Sequence, residues 1–138
     1  SLSGKIYVFG GSDQRGDYLD DVVAIDPRDG SVAGMGNLPS GRTRSSTVVL
    51  GNQILLIGGW EGEKLSEVFS IEPNRDSKIR LYAQLERGFS DIGTVNLDGN
   101  IYLVGGTHER FQRQIQVLRW DPESNRMDSI KFRSFLFW

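Results

Sequence analysis

Residues that could do chemistry are few in this chain of 138 residues, and their scarcity limits what it can catalyse. The sequence contains one histidine, His108, and no cysteine. Without thiols there is no cysteine nucleophile, no thiolate metal site and no disulfide. His108 and the adjacent Glu109 provide fewer ligands than a metal ion needs, and no spacing adds others. We therefore expect no catalytic residue, no metal and no cofactor, and we interpret His108 as a loop residue.

Other catalytic and ligand-binding motifs are also missing from the sequence. No Gly-x-Ser-x-Gly elbow and no phosphate-binding glycine loop occurs. Four aspartates follow the first glycine pair, but their spacing does not match a calcium loop. We interpret these carboxylates as solvated.

Charge and hydropathy narrow the class of partner. Sixteen Lys and Arg residues against eighteen Asp and Glu give a net charge of −2, which argues against binding to a nucleic-acid backbone. The apolar runs are too short to span a membrane, and no leader peptide is recognisable. The expected location is the cytoplasm, with the nucleus as the alternative.

The elements that would position any site come from an internal repeat. A strand that ends in a glycine pair occurs three times, and the second glycines stand at positions 11, 59 and 106, which are 48 and 47 residues apart. A second landmark, an acidic residue followed by proline, ends a later strand at Pro27, Pro73 and Pro122. Short hairpin turns are predicted at 51–52 and 98–100. Each unit therefore predicts four short strands, and no segment has helical spacing.

These landmarks resemble the kelch repeat, in which an aliphatic strand ends in Gly-Gly and a later strand ends in Asp-Pro, with a period near fifty residues. The resemblance implies an all-β fold, a kelch-type β-propeller in which each repeat is a four-stranded blade. The expected blades are about 1–40, 41–87 and 88–130. The tryptophan that usually follows the proline by five residues is replaced by Val32, Lys78 and Met127.

Three blades are half of a ring of about six, so the ring must be closed by other material. The first unit begins at its second strand, and the segment 132–138 is predicted to be a strand that supplies the missing one. Two alternatives remain open. A second copy of the chain completes the ring as a homodimer, or the chain is part of a longer propeller.

The resemblance also implies where a partner would bind. In kelch adaptor proteins, the residue fifteen positions before the second glycine points toward the mouth of the channel. Here that position holds Arg44 and Asp91, and Arg42 matches an arginine that commonly precedes it. The full set of expected partner-binding residues is Arg42, Arg44, Ser45, Trp60, Asp91, His108 and Arg110, with Arg133 added if the C-terminal segment is a first strand.

These residues predict a binding module without catalysis. Arginine holds carboxylates in bidentate geometry, so the expected partner is a protein or an acidic peptide, in substrate recognition or scaffolding. Two structural alternatives remain: the arginines satisfy carbonyl and carboxylate groups between blades, and Trp60 fills the space between them. Trp120 is expected in the core. The alternative function is a sugar-processing enzyme of the kelch mutarotase type, with its site in the central channel.

Overall fold

The computed structural model describes residues 1–73, 78–106 and 117–130. The segment 132–138, with Arg133, and the loop residues His108 and Arg110 lie outside these ranges, as does the whole connection between the third Gly-Gly pair and the next strand. The described part of the chain is all β, as the sequence predicted, and contains no helix that could cross a bilayer. Its strands are β1 (Ile6–Ser12), β2 (Tyr18–Ile25), β3 (Val32–Asn37), β4 (Ser46–Leu50), β5 (Gln53–Ile57), β6 (Leu65–Ile71), β7 (Ile79–Phe89), β8 (Ile92–Leu97), β9 (Asn100–Gly105), β10 (Val117–Asp121) and β11 (Arg126–Ser129).

The strands form three antiparallel sheets in which neighbours in sequence are neighbours in space. Sheet 1 has the order β1-β2-β3, sheet 2 the order β4-β5-β6-β7, and sheet 3 the order β8-β9-β10-β11. Sheet 1 therefore has three strands among the described residues, and β1 is its edge. The predicted hairpin turns are present: two residues join β4 to β5, and two join β8 to β9. Positive φ angles at Gly51, Asp98 and Gly99 suit such turns.

Sheet 2 lies between the other two and packs on both of them. It can do so because alternate residues along a strand face opposite sides of the sheet. We call the front face of each sheet the one that carries Phe9 in sheet 1, Ile57 in sheet 2 and Val104 in sheet 3. The back face carries the alternate residues, such as Val8, Leu56 and Leu103. The front of sheet 1 packs on the back of sheet 2 through a cluster of buried residues, Val22, Leu38, Leu56, Phe69 and Ile71.

A larger cluster joins the front of sheet 2 to the back of sheet 3. Its buried members are Val48, Leu55, Ile57, Val68, Leu85, Phe89, Ile92, Ile101, Leu103, Leu118 and Trp120. Trp120 is fully buried, as predicted, and its indole Nε1 donates to Asn125 Oδ1 at 2.9 Å. Burial of an indole is favourable when its N–H keeps a partner.

The first two glycine pairs are required because the chain crosses them closely where it passes from one sheet to the next. A Cβ at Gly10 would overlap the carbonyl oxygen of Arg42, and a Cβ at Gly58 would overlap that of Phe89. In these two pairs the second glycine donates its N–H to the same carbonyl, Gly11 to Arg42 and Gly59 to Phe89, both at 2.8 Å. The repeat therefore encodes the junction between successive sheets as well as the end of a strand.

The Asp-Pro landmark forms a turn closed by the carboxylate. Asp26 Oδ1 accepts from the N–H of Arg28 at 3.0 Å, and Asp121 Oδ1 accepts from the N–H of Glu123 at 3.0 Å. The Arg28 side chain also donates to Asp26, and this bond is the largest cause of a strongly lowered pKa for that carboxyl. For Asp121 the hydroxyl of Ser124 is the largest cause of a lowered pKa. An acidic residue before the proline thus has a local structural role.

Candidate partner-binding rim

One edge of the three sheets collects most of the predicted binding residues. The register pairs the start of β4 with the end of β5 and the start of β6 with the end of β7. The segment before β4, the connection from β5 to β6 and the segment after β7 therefore lie at the same edge. We call this edge the rim, and it contains the segments 13–17, 38–45, 58–64 and 90–91. The turns at 26–31, 51–52, 98–99 and 121–125 lie at the opposite edge.

Arg44 and Asp91 face each other on the rim. Arg44 Nη1 lies 3.9 Å from Asp91 Oδ2, and the side chains are 56% and 39% exposed. The Asp91 N–H donates to the Arg44 carbonyl at 3.1 Å, which fixes the two segments together. Both residues have a φ of 57°, a conformation that is costly for a residue with a Cβ. The repeat position that sequence reasoning identified is thus a strained and exposed one in both complete sheets.

Trp60 is held beside Thr43, the residue that precedes Arg44, by its own backbone. Its N–H donates to the Thr43 carbonyl at 2.7 Å, and the Thr43 N–H donates to the Trp60 carbonyl at 3.1 Å. The indole Nε1 donates to the Tyr18 hydroxyl oxygen at 3.2 Å. Because Tyr18 begins β2, this bond spans the junction of sheets 1 and 2. Trp60 is partly exposed and Tyr18 is 39% exposed, so both rings contribute to the rim surface.

Ser45 and Arg42 point inward instead. The Ser45 hydroxyl donates to the Gly58 carbonyl at 3.0 Å. Arg42 is 2% exposed, its Nη1 donates to the same carbonyl at 3.4 Å, and its Nη2 donates to the Ser40 hydroxyl at 3.1 Å. The Arg42 guanidinium is therefore not available to a partner in this structure, and its contacts fit the structural alternative in which an arginine satisfies carbonyls between sheets.

The surroundings of Arg42 explain how a charge is tolerated there. Its guanidinium carbon lies 4.8 Å from the centre of the Phe69 ring, and Nη1 is 3.9 Å from Glu67 Oε2. Burial lowers the pKa of Arg42, and the nearby carboxylates of Glu67 and Glu61 oppose that shift. Arg42 Nε and Glu67 Oε2 have no hydrogen-bond partner among the residues that the structure describes. Arg42 is thus the buried member of an ion pair whose other member, Glu67, is partly exposed.

The inner strands β4 and β8 line the side of the sheets where the sequence places a channel. The hydroxyls of Ser46 and Thr94 lie 2.8 Å apart, and Thr94 Oγ1 donates to the Thr47 carbonyl at 3.0 Å. Asn96 Nδ2 donates to the Val49 carbonyl at 2.9 Å. Ser46, Thr94 and Asn96 offer hydroxyl and amide groups there, and these groups are used to join the two strands.

The sequence analysis did not predict Tyr18, and two residues that it did predict, His108 and Arg110, are not tested by the structure. Tyr18 was not predicted, and its only sequence signal was an aromatic residue at the end of the loop that follows the first glycine pair. His108 and Arg110 lie outside the described residues, so the predicted contribution of that loop stays a prediction. Within the described ranges, no three His, Asp or Glu side chains converge as metal ligands would.

Comparison with known proteins agrees with this architecture. A model of the kelch motif matches residues 1–33. Kelch-like protein 35 of Mus musculus is 26% identical over 127 residues, which are 92% of this chain and 21% of that protein. The chain thus spans about a fifth of the length of this curated relative. The glycine pair of the matched segment recurs in sheets 2 and 3 with the same junction geometry at Gly58. The chain is therefore similar to kelch-repeat proteins, and its antiparallel sheets of three and four strands are consistent with blades of a kelch β-propeller.

Proposed function

We propose that this chain is a protein-binding module that holds a segment of its partner on the rim, without making or breaking covalent bonds. Kelch repeats in general support an interaction role. The observation that carries the proposal is the exposed Arg44–Asp91 pair, held in a strained conformation at equivalent positions of two blades. Strain of this kind persists where the surrounding structure enforces it, and it often marks functional positions.

Arg44 is the group that would recognise the partner. An exposed ion pair contributes about 0–1 kcal/mol, so Asp91 is readily displaced from it by a better-placed carboxylate. The guanidinium can bind such a carboxylate through two parallel hydrogen bonds, and a partner cation or N–H can then use Asp91. This selects an acidic group in the bound segment, as the sequence analysis expected.

Trp60 and Tyr18 would supply the apolar part of the contact. Aromatic rings on a rigid frame are common anchors, since they bury much area at little entropic cost. The exposed residues Glu61 and Glu63 follow Trp60, so the rim carries both signs of charge. The best-fitting partner segment therefore has an apolar side chain near a carboxylate, with basic residues on the side of Glu61.

The cellular use that we propose is substrate recognition or scaffolding, in the cytoplasm or nucleus. This choice rests on the rim, because the described inner-strand groups Ser46, Thr94 and Asn96 lack the carboxylates that the sugar-processing alternative would need. A second copy of the chain is a further proposed partner, through surfaces other than the rim.

The test uses peptides selected for binding rather than a protein of unknown identity. A displayed random peptide library is panned on the immobilised chain, and enriched peptides are synthesised with a fluorescent label. Fluorescence polarisation then gives their affinity for the wild type and for Arg44→Glu. We expect enriched peptides to contain carboxylates and to bind Arg44→Glu at least about tenfold more weakly, since a repulsive contact replaces an attractive one.

The matched control is Arg126→Glu. Arg126 is also an exposed arginine in an ion pair, 74% exposed and 3.1 Å from Asp128, but it lies at the opposite edge. This variant should bind the peptides like the wild type. Equal binding of the peptides to Arg44→Glu, or a selection that yields no carboxylates, would overturn the proposal.

A further inference from the structure

The charge of the rim limits what kind of acidic segment can bind there. The rim contains five acidic residues and four basic ones: Asp13, Asp17, Glu61, Glu63 and Asp91, and Arg15, Arg42, Arg44 and Lys64. One of the basic residues, Arg42, is 2% exposed and offers no charge to a partner. Arg15 Nε lies 3.3 Å from Asp13 Oδ2 and 3.9 Å from Asp17 Oδ2, so its charge is balanced within its own loop. A segment with many carboxylates would therefore meet more repulsion than attraction on the rim.

Arg44 has an exposed guanidinium that the rest of the rim leaves open. Its ion pair with Asp91 spans 3.9 Å, which is too long for a hydrogen bond. Among the described residues, no acceptor takes a hydrogen bond from the Arg44 side chain. Its planar set of donors can therefore hold a carboxylate of the partner in bidentate geometry.

Asp91 remains beside Arg44 when such a carboxylate arrives, because its own chain holds it there. The Asp91 N–H donates to the Arg44 carbonyl at 3.1 Å, and Asp91 Oδ2 accepts from the Ser90 hydroxyl at 3.0 Å. Ser90 is 1% exposed, so the hydroxyl that anchors the carboxylate is itself fixed.

This fixed carboxylate repels an acidic group bound to Arg44. If the nearer oxygen of that group lies about 2.8 Å from Arg44 Nη1, it is at most about 7 Å from Asp91 Oδ2. That separation is shorter than the screening length of about 8 Å at physiological ionic strength, so the two carboxylates repel each other. The repulsion is removed when the partner also supplies a cation for Asp91.

We infer that the rim selects an extended segment with an acidic and a basic side chain two residues apart, the acidic one on Arg44 and the basic one on Asp91. Residues i and i+2 of an extended chain face the same side and lie about 6.6 Å apart, so their flexible side chains can both reach the Arg44–Asp91 pair. Each charge of the segment then meets an opposite charge. This inference rests on the proposed function, and it makes Asp91 the residue that determines the charge pattern of the partner.

The experiment measures the coupling between Asp91 and the basic residue of the bound peptide. Peptides enriched by the library selection are synthesised with this Lys or Arg unchanged or replaced by Gln. Fluorescence polarisation gives their Kd for the wild type and for Asp91→Asn. Asn tolerates a positive φ and keeps an oxygen for the Ser90 hydroxyl, so this variant should remain folded. We expect the Gln replacement to weaken binding to the wild type about fivefold and to Asp91→Asn less than about twofold.

A peptide with a second acidic group should give the opposite result. When its basic residue is replaced by Glu, the peptide should bind Asp91→Asn at least about fivefold more tightly than the wild type, because one repulsive contact is removed. Asp98→Asn is the matched control. Asp98 is also an exposed aspartate with a positive φ, 51°, but it lies in a turn at the opposite edge. This variant changes the net charge equally and should bind every peptide like the wild type.

The outcomes separate this inference from the proposed function. If Arg44→Glu weakens binding but the Gln replacement has the same effect on the wild type and on Asp91→Asn, the inference is wrong and the proposed function stands. Enriched peptides with carboxylates but no basic residue two positions away would overturn it in the same way. Peptides that bind Arg44→Glu like the wild type would overturn both. If circular dichroism shows that Asp91→Asn is unfolded, Asp91→Gly, which also suits the positive φ, replaces it in the same measurements.

Discussion

Arg44 and Asp91 occupy the same position in two successive repeats, and their side chains meet across the junction of sheets 2 and 3 with 3.9 Å between Nη1 and Oδ2. Each has a φ of 57°, and the Asp91 N–H donates to the Arg44 carbonyl. The strained backbone is thus a property of the repeat, whereas the choice of side chain differs from blade to blade. This is how a propeller keeps a fixed frame while changing what its rim presents.

Two substitutions of Arg44 should differ in protein stability but not in peptide binding, because only one of them relieves the backbone strain. Arg44→Gly removes the side chain and the penalty for a positive φ, whereas Arg44→Ala removes only the side chain. We expect the free energy of unfolding of Arg44→Gly to exceed that of Arg44→Ala by about 1 kcal/mol, measured by urea denaturation. Both variants should bind selected peptides weakly. If Arg44→Ala were the more stable of the two, the claim that the backbone is strained at this position would be wrong.

The glycine junction should tolerate no side chain. At Gly58 a Cβ would overlap the Phe89 carbonyl oxygen, and the residue has a φ of 60°. Gly58→Ala should therefore lower the free energy of unfolding by about 3 kcal/mol or more, from overlap and backbone strain together. Gly34→Ala is the control, because no atom lies within 4 Å of its Cβ position and its φ is ordinary. It should be neutral or slightly stabilising. Equal losses in both variants would show that the junction is not the cause.

Arg42 should act on stability and not on partner binding. Arg42→Met keeps an apolar stem against Phe69 but loses the donors to the Gly58 carbonyl and the Ser40 hydroxyl. We expect a loss of about 2 kcal/mol in the free energy of unfolding, because a buried carbonyl and Glu67 lose their partner. Peptide affinity of the folded variant should match the wild type. If Arg42→Met were folded but no longer bound the peptides, Arg42 would have to take part in partner binding.

Acid should destabilise the fold through its turn aspartates. Hydrogen bonds lower the pKa values of Asp13, Asp26, Asp29, Asp121 and Asp128 below those of free aspartate. The unfolded chain therefore binds more protons as the pH falls below about 4, and the free energy of unfolding decreases in that range. Above about pH 5 this contribution is fully present. Thermal melts should show Tm falling steadily below about pH 4, and Asp26→Asn, which can still accept from the Arg28 N–H, should flatten that fall. A Tm that rises on acidification would contradict this linkage.

The sequence predicted the frame well because the frame repeats. The Gly-Gly strands, the hairpin turns and the buried Trp120 each follow from a local pattern that recurs with one period. The direction of individual side chains was harder to predict. Arg42 and Arg44 are two residues apart and chemically identical, yet one is buried against Phe69 and the other is 56% exposed. That difference depends on how the segment between β3 and β4 crosses Gly10, which is a contact between sheets 1 and 2.

Tyr18 illustrates the same limit. Its hydroxyl meets the Trp60 indole across 42 positions of sequence, so the pair exists only because two sheets bring their rims together. Conversely, Asp26 and Asp121 have a local role in the turns after their strands, which the sequence analysis did not predict because it attributed the end of the strand to proline alone. The carboxylate of Asp26 closes its own turn.

Hydrogen exchange with and without a selected peptide tests the central claim most directly, because it maps where the partner binds. We expect slower exchange on peptide binding at the rim, in residues 43–45, 60–64 and 90–91. Exchange should be unchanged at the opposite edge, in residues 26–31 and 121–125. Protection confined to the opposite edge, or to the inner strands β4 and β8, would contradict the claim that the rim is the partner-binding surface.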